Sequence, residues 1–304
     1  DGVLGTGIRF PLLPDIAQVL RCVKRMVVEN EGKPHVVAVD CPSGIDCDTG
    51  QASTDVIPAE VTYTMAAIKR GLFNFPAANL VGEVRVGGIG DLSKFGTWNS
   101  VKRGVVTDKD ICLFLPSRPR DAHKGTFGTA LLIAGAGNYP GAVLLAGSAT
   151  YRSGAGLVKI AIPEYIYSAI VGELKEAIWV RLPHRSGWIS DDAIQAIPPA
   201  LVGVNALLVG PGLGLETTTA EFMSKLLALN LPSMVIDADG LKLLAKIPDW
   251  YMILHEQVIL TPHPGEMEVL TGIPKEEIQL NRIEIAETYA RQWDKVVVLK
   301  GAYT

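Results

Sequence analysis

Short runs of apolar, often β-branched residues recur along the chain, and each is followed by a turn and then by a stretch with helical periodicity. The runs are mostly continuous rather than alternating, which is typical of strands covered on both faces. They predict strands at 36–39, 61–65, 82–86, 129–134, 157–162, 206–209, 234–236, 258–260 and 296–299. Amphipathic segments predict helices at 16–29, 144–152, 217–229 and 275–293. The alternation of strand and helix indicates α/β domains built on parallel sheets.

A change of pattern divides the chain. Residues 91–120 interrupt the apolar runs with glycine, proline and scattered charge, whereas 123–153 begins a new glycine-rich strand–turn–helix unit. We therefore predict a domain boundary near residue 105, which gives domains 1–105 and 106–304. The sequence starts directly on a glycine turn and stops soon after an apolar run, so we interpret it as a fragment of a longer chain.

Composition narrows the classes of function. Of 304 residues, 48% are hydrophobic and 20% are charged, which excludes a chain that is disordered throughout. The net charge of −4 offers no basic surface for nucleic acid or for an anionic membrane, and no apolar run is long enough to predict a membrane span. The 4 cysteines show neither a disulfide framework nor metal-binding spacing. We expect reduced thiols, a cytoplasmic location, and no nucleic-acid or membrane partner.

The first candidate site lies at the start of the sequence. Residues 1–11 read DGVLGTGIRFP, in which Gly5 and Gly7 flank Thr6. Such a turn can direct backbone N–H groups towards an anion, and a helix is expected to begin after Pro11 or Pro14. An ordinary glycine turn without a ligand is the alternative.

The second candidate site follows the strand predicted at 36–39. Residues 40–50 read DCPSGIDCDTG, which places Asp40 at the carboxyl end of a parallel strand, where open α/β sheets bind ligands. Asp40 is therefore a candidate general acid or base. Asp1 and Ser43 could offer oxygens to a hard cation. The alternative is a polar loop that only caps the next element.

Polar or glycine-rich turns also follow four strands of the second domain. They read VGPGLG at 209–214, IDADG at 236–240, LTPHPGE at 260–266 and KGAYT at 300–304. Turns at the carboxyl edge of one parallel sheet converge on one crevice, so the set favours a shared ligand site. HPGE by itself is also explained as the start of a helix. The turn GAGNYPG lacks the GxGxxG spacing, so no Rossmann hydride-transfer site is predicted.

In this order the motifs resemble the bifunctional NAD(P)H-hydrate repair enzymes. DGVLGTG, VDCPSGIDCDTG and KRGL at 69–72 are similar to the epimerase half, and HKGTFGTALLIAG, SGAGLV, VGPGLG, DADGL, LTPHPGEM and VLKG to the dehydratase half. The resemblance implies a partial Rossmann-like three-layer α/β epimerase domain in 1–105. It implies a ribokinase-like, C-terminally truncated dehydratase domain in 106–304. The implied activities are epimerisation of R- and S-NAD(P)H hydrates and ADP-dependent dehydration of the S form.

The resemblance also implies roles for individual residues. Asp40 would be catalytic and contact the hydrate, and Asp1 with Ser43 would coordinate K+. The hydrate would be bound by Gly5, Thr6, Gly7, Ile8, Arg9, Phe10, Pro11, Ala142, Val143, Gly212 and His263. ADP or ATP with Mg2+ would be bound by Lys300, Gly301, Ala302, Tyr303 and Thr304. We expect these small molecules as partners, and a homo-oligomer.

The sequence departs from the family pattern in several places. An asparagine- and glycine-rich motif expected before Asp1 is missing, as is a GTGD motif with the dehydratase's catalytic Asp expected after Thr304. Val143 and Lys242 stand where Ala and Asn are expected. We expect a bifunctional parent protein and a chain that lacks dehydratase activity by itself; whether it retains epimerase activity stays open. A ribokinase-type small-molecule kinase, a non-catalytic nucleotide-binding module and a fragment without function are the open alternatives.

Overall fold

The computed structural model describes residues 1–30 and 34–302. The chain forms two compact units, Asp1–Ser117 and Arg118–Thr304. The boundary between the two units follows Ser117, later in the chain than the boundary predicted near residue 105. The assignment of an epimerase domain to 1–105 and a dehydratase domain to 106–304 stays a prediction.

The first unit is built on a three-stranded parallel sheet in the order β1-β2-β3. Its strands are β1 Val37–Val39, β2 Val61–Met65 and β3 Glu83–Gly87, and its helices are α1 Pro14–Glu29, α2 Gly96–Asn99 and α3 Asp108–Phe114. The loop that follows β1 packs its apolar side chains into a small core with residues near β2 and β3. This core contains Cys41, Ile45, Cys47, Val56, Leu72, Ala77 and Val81. These buried side chains therefore hold in place the loop that carries the predicted acidic site.

The second unit is built on a seven-stranded parallel sheet in the order β12-β11-β10-β9-β4-β5-β6. Its strands are β4 Thr129–Ile133, β5 Leu157–Pro163, β6 Ile178–Leu182, β9 Ala206–Val209, β10 Ser233–Ile236, β11 Val258–Leu260 and β12 Val296–Val297. A short antiparallel hairpin joins β7 His184–Arg185 to β8 Trp188–Ile189. The helices are α4 Pro140–Arg152, α5 Glu164–Ile170, α6 Ile197–Leu201, α7 Thr217–Leu227, α8 Asp239–Leu244, α9 Trp250–Ile253, α10 Pro264–Thr271, α11 Lys275–Leu280 and α12 Arg282–Trp293.

Helices cover both faces of the larger sheet, which explains why its central strands are continuously apolar. In β4 the consecutive residues Leu131, Leu132 and Ile133 are all buried. Leu131 and Ile133 pack with Phe222 of α7 in one core, whereas Leu132 packs with Val143 of α4 in the other. Successive strand residues point to opposite faces, so a strand between two helix layers needs an apolar residue at every position.

The path of the chain through this sheet reverses once. It runs from β4 to β5 and β6 at one edge, and then returns to β9 on the other side of β4. From β9 it proceeds through β10 and β11 to β12 at the opposite edge. In open α/β sheets ligands bind outside the carboxyl ends of strands at such a reversal. The crevice between β4 and β9 is therefore the expected binding position.

The predicted parallel α/β class is confirmed, and each predicted strand overlaps an observed one. The sequence missed β6, an edge strand whose residues are largely not buried, and the two-residue strands of the β7–β8 hairpin. The prediction of one long helix at 275–293 was wrong, because Asn281 leaves the helical conformation and separates α11 from α12. Among the described residues, every helix is too short or too polar to cross a bilayer.

Candidate functional site

Asp40 stands directly after β1 and is surrounded by residues from the end of β2. Its backbone has a φ of +67°, a conformation unusual for a residue other than glycine. Its backbone N–H donates to the Tyr63 carbonyl over 2.8 Å, which holds this turn in place. Its Oδ1 accepts from the backbone N–H of Met65 at 2.8 Å and from Thr64 Oγ1 at 3.3 Å, and it forms an ion pair with Lys69 Nζ.

These partners keep Asp40 ionised at neutral pH. Partial burial by itself would raise the pKa of Asp40, but hydrogen bonds from Lys69, Met65 and Thr64 and the charge of Lys69 together lower it below the ordinary 3.8. The carboxylate is thus in the form that a general base needs, and its catalytic role stays a prediction. Sequence reasoning gave Lys69 no role, although the KRGL motif contained it; only the sheet brings it to Asp40.

Asp1 and Ser43 are in direct contact. The Ser43 backbone N–H donates to Asp1 Oδ2 at 2.7 Å, and its hydroxyl donates to Asp1 Oδ1 at 2.6 Å. Ser43 Oγ also accepts from the Leu4 backbone N–H at 2.9 Å. The side-chain donor set is all oxygen, which suits a hard cation. The described residues contain no group of three or more His, Cys, Asp or Glu side chains placed to hold a metal ion.

The glycine turn predicted to bind phosphate lies on the surface of the first unit. Gly7 has a φ of +81°, and neither Gly5 nor Gly7 has another group within 4 Å of the position that a Cβ would take. The predicted binding residues in this turn differ in exposure. Gly5, Thr6, Gly7, Arg9 and Pro11 are exposed, and Ile8 and Phe10 are half-buried. The Leu4 bond to Ser43 places this turn beside the loop that follows Asp40.

In the second unit, the loops after β4 and β9 meet at the chain reversal. Gly135 donates its N–H to the Pro211 carbonyl at 2.8 Å. Gly212 has a φ of +68°, and a Cβ on it would lie 2.9 Å from the Ala142 Cβ and 2.8 Å from the Tyr139 Cβ. The position therefore requires glycine for its conformation and for close approach. Gly212 and Ala142, both predicted to bind the hydrate, are brought together.

Val143 does not face this crevice with its side chain. It is fully buried in the core between the sheet and α4, and its Cγ2 would lie 2.3 Å from a Cβ on Gly135. The side chain of Val143 therefore belongs to the core, and the residue has no exposed surface. Its contact with the hydrate stays a prediction.

The β7–β8 hairpin borders the same crevice, which the sequence did not indicate. Gly187 in its turn accepts a hydrogen bond from the Gly137 N–H at 2.9 Å. The Trp188 ring lies against Gly214, where its nearest atom is 2.1 Å from the position of a Cβ. Trp188 and Tyr139 have ring centroids 6.4 Å apart. The sequence pattern gave no role to Trp188, because hairpins this short leave little periodic signal.

His263 caps the N-terminus of α10 and is locked to Glu266. Its Nδ1 accepts from the backbone N–H groups of Gly265 at 3.0 Å and Glu266 at 3.2 Å. The Glu266 carboxylate accepts from the His263 backbone N–H at 2.8 Å and lies 3.2 Å from Nε2. Because Nδ1 acts as an acceptor, these contacts assign the ring proton to Nε2. His263 therefore begins helix α10 and is at the same time a residue of the candidate site.

Lys300 connects the loops after the outer strands. Its backbone N–H donates to the Pro262 carbonyl at 2.8 Å, and its Nζ forms an ion pair with Asp237. Nζ also lies 3.6 Å from Glu266 Oε2. Arg282 donates to the Lys300 carbonyl at 3.0 Å, and burial lowers the pKa of this guanidinium. Sequence reasoning singled out Lys300 but gave no role to Glu266, Asp237 or Arg282.

The other residues predicted to bind the nucleotide follow Lys300 at the end of the sequence. Gly301 and Ala302 are exposed beside Lys300. Tyr303 and Thr304, also predicted to bind ADP, lie outside the described residues.

The loop after β9 and the loop after β10 are in contact at the carboxyl edge of the sheet. The carbonyl of Asp237 would lie 1.8 Å from a Cβ on Gly210, and the Asp237 N–H donates to the Val209 carbonyl at 3.0 Å. The predicted hydrate residues at the reversal and the predicted nucleotide residue at the outer strands thus lie along one edge of one sheet. This arrangement suits an extended ligand or two adjacent ligands.

Comparison with known proteins gives a consistent result. The family model described as NAD(P)H-hydrate dehydratase matches residues 130–304, and the model described as YjeF-related protein N-terminus matches residues 1–71. A relative from Moorella thermoacetica, a bifunctional NAD(P)H-hydrate repair enzyme, is 35% identical over 100% of this chain and 56% of its own length. The chain thus spans about half the length of the curated relatives it matches.

Solved structures match the second unit's architecture. The crystal structure of an ADP/ATP-dependent NAD(P)H-hydrate dehydratase from Bacillus subtilis, co-crystallised with ATP/Mg2+, is 36% identical with a TM-score of 0.53. The match covers 66% of this chain and 68% of that one. A ribokinase-like superfamily protein from Enterococcus faecalis is 24% identical with a TM-score of 0.51 over 61% of each chain, which shows the fold alone. The chain therefore belongs to the NAD(P)H-hydrate dehydratase family, and its first 71 residues are similar to the YjeF-related protein N-terminus.

Proposed function

We propose that this chain is part of an enzyme that repairs hydrated nicotinamide nucleotides. Its second unit takes part in the ADP-dependent dehydration of S-NAD(P)H hydrate, and its first unit in the interconversion of the R and S hydrates. The observation that carries the proposal is that the predicted ligand residues lie along the carboxyl edge of the seven-stranded sheet. Gly212 and Ala142 meet at the chain reversal, and His263 and Lys300 are linked through Glu266 beside the outer strands.

The chemistry of these two places suggests which ligand each one takes. Lys300 offers a cation and its neighbours an exposed backbone, which suits the phosphates of ADP or ATP. The close approach of Gly212 to Ala142 and Tyr139 brings together the loops after β9 and β4, where the hydrate would bind. The Bacillus subtilis relative was crystallised with ATP/Mg2+, which supports a nucleotide and Mg2+ as ligands here. Asp237 beside Lys300 supplies oxygens of the kind that Mg2+ prefers.

Dehydration requires a hydroxyl group to leave the reduced nicotinamide ring. A nucleotide can supply a phosphoryl group that makes this oxygen a better leaving group, and elimination then restores the ring double bond. Such transfer depends mainly on positioning and on neutralising phosphate charge. In this chain the Lys300 cation would stabilise the transferring phosphoryl group, while the glycine turns of the crevice would place the hydrate.

Epimerisation requires reversible bond breaking at the hydroxyl-bearing carbon. The ionised Asp40 carboxylate would accept a proton from the substrate and return it, with Lys69 holding the carboxylate in position. Asp1 and Ser43 would hold K+, and the exposed turn at 5–11 would face the phosphates. K+ would contribute positive charge near the dinucleotide phosphates.

The cytoplasmic location fits the four described cysteines, which are all free thiols. Assembly as a homo-oligomer and the preference for NADH or NADPH hydrate are further parts of the proposal that solution experiments can decide.

The epimerase assignment is tested with D40N in the whole protein that contains this chain. Removal of the carboxylate should lower the rate of R-to-S interconversion by roughly a hundredfold or more, as for loss of a general base. D48N is the matched control, because Asp48 lies in the same loop with an exposed side chain. An unchanged interconversion rate in D40N would show that Asp40 is not the base.

The dehydratase assignment is tested with K300M in the same protein. Conversion of S-NADPH hydrate with ADP, followed by the absorbance of NADPH, should fall strongly, while R-to-S interconversion should persist. A parallel assay with ATP and small alcohols tests the ribokinase-type alternative. Phosphorylation of an alcohol without hydrate turnover would favour the kinase instead.

A further inference from the structure

Glu266 is a charged residue buried beneath the candidate site of the second unit. Only 3% of its surface is exposed, although carboxylates are rarely buried without partners. Its carboxylate faces residues predicted to bind two different ligands. One is His263, predicted to contact the hydrate, and the other is Lys300, predicted to contact the nucleotide.

The contacts of Glu266 constrain both residues. The carboxylate accepts the His263 backbone N–H at 2.8 Å and lies 3.2 Å from Nε2, while Nδ1 accepts two backbone N–H groups of α10. Both ring nitrogens are therefore engaged, which fixes the orientation of the imidazole and its tautomer. On its other side, Glu266 Oε2 lies 3.6 Å from Lys300 Nζ, which is also paired with Asp237.

We propose that Glu266 is a positioning residue that sets His263 for the hydrate and Lys300 for the nucleotide at the same time. This inference rests on the proposed function and extends it to a residue that touches neither ligand. The two anionic partners, Glu266 and Asp237, hold the Lys300 ammonium between them at the carboxyl edge of the sheet. The buried carboxylate also keeps the two subsites at a fixed spacing, which a phosphoryl transfer between bound ligands requires.

Two substitutions, made in the whole protein that contains this chain, separate the two tasks. In E266Q the amide oxygen can still accept from His263, but the negative charge that faces Lys300 is lost. We expect the KM for ADP to rise roughly tenfold and the KM for the hydrate to change little. In E266A both contacts are lost, so both KM values should rise and kcat should fall. E268Q is the matched control on the same helix, because Glu268 contacts the Lys275 backbone instead.

A spectroscopic readout makes the test independent of turnover. The chain has 5 histidines, so the ring nitrogen signals of His263 can be assigned by NMR with an H263N reference. We expect the Nε2 signal of His263 to shift in E266A, because its acceptor is gone, and to keep its position in E268Q. Thermal unfolding of every variant shows whether the fold is retained.

The outcomes distinguish this inference from the proposed function. Unchanged KM values for both ligands in a folded E266A variant, or an unchanged His263 Nε2 signal, would overturn the positioning role even if the wild type repairs hydrates. If the wild type fails to turn over the hydrate, the proposed function is wrong, and the His263 signal together with ADP binding by titration calorimetry still decides what Glu266 positions.

Discussion

At the scale of single residues, Asp40 combines an unfavourable backbone conformation with a charged side chain. Its left-handed backbone is unfavourable for a residue with a side chain, yet the conformation directs its carboxylate to Lys69 and to the end of β2. Pro42 and the hydrogen bond that the Asp40 N–H donates to the Tyr63 carbonyl restrict the alternative backbone conformations. Strain of this kind tends to persist where the surrounding structure holds a functional group in place.

We expect acidification to destabilise the protein partly through Asp40. Its pKa is lowered in the folded state, so the stability it contributes is fully present above the ordinary pKa of 3.8 and is lost as the pH falls through the lower folded value. D40N should lose less unfolding free energy between pH 5 and pH 3 (roughly the range of aspartate titration) than the wild type. Urea unfolding at each pH measures this, with D48N as the control. Equal losses in wild type and D40N would contradict the expectation.

Gly214 and Gly203 offer a comparison of two glycines with nearly the same backbone conformation. Their φ values are +74° and +73°, but a Cβ on Gly214 would collide with Trp188, whereas Gly203 has open space. G203A should cost roughly 1 to 2 kcal/mol from conformation alone. G214A should cost roughly 2 to 4 kcal/mol, because overpacking adds to the strain. Chemical denaturation measures both losses of unfolding free energy. Equal losses would show that the Trp188 ring moves aside for a Cβ at position 214.

At the scale of elements, interior and edge strands of the larger sheet differ in how much of their apolar surface is buried. Val158 lies in β5 and is completely buried, whereas Val296 lies in the edge strand β12 and is 55% exposed. A valine is therefore part of the core in one strand and lies largely in solvent in another strand of the same parallel sheet. Burial of apolar area stabilises the first position far more than the second.

We expect V158A to lower the free energy of unfolding by about 2 kcal/mol, and V296A by less than about 0.5 kcal/mol. The two substitutions remove the same atoms, so the difference reports burial rather than chemistry. Equilibrium unfolding in urea gives both values. Similar costs would indicate that β12 is covered in solution by something that the described residues do not provide.

The elements also show where sequence patterns are sufficient and where they fail. Strands such as β4 were recognisable because both their faces are buried, which gives a continuous apolar run. The edge strand β6 was missed because it contains Arg181 and exposed positions, and the break at Asn281 was hidden by apolar spacing that continues across it. Local periodicity reports burial, and it loses its meaning where burial is partial.

At the scale of the whole molecule, the two compact units have separate cores. The core of the first unit contains Leu72, which is completely buried, and the cores of the second contain Val158 and Phe222. Units with their own cores commonly unfold in separate steps, so each unit has its own unfolding free energy, and a substitution changes the value of the unit that contains it.

We expect calorimetry to resolve two unfolding transitions. L72A should lower the midpoint of one transition, and V158A should lower the midpoint of the other, because each substitution leaves a cavity in a different core. ADP with Mg2+ should raise only the transition that V158A affects, since binding stabilises the unit that holds the ligand. A single transition shifted by both variants would show that the units unfold together.

The sequence by itself determined the alternation of strands and helices, the parallel α/β class and the glycine and acidic turns at the strand ends. These features depend on local periodicity and on conformational preferences of single residues. The same motifs, in order, were enough to indicate the family.

Only the tertiary structure decided which turns meet. The order of strands places the chain reversal between β4 and β9, brings Ala142 against Gly212, and joins Lys300 to Asp237, 63 residues earlier. It also brought Lys69 to Asp40 and revealed Glu266 as the link between two predicted subsites. The physical reason is that strand order follows from how helix layers pack on both faces of a sheet, a property of the whole assembly that no local pattern encodes.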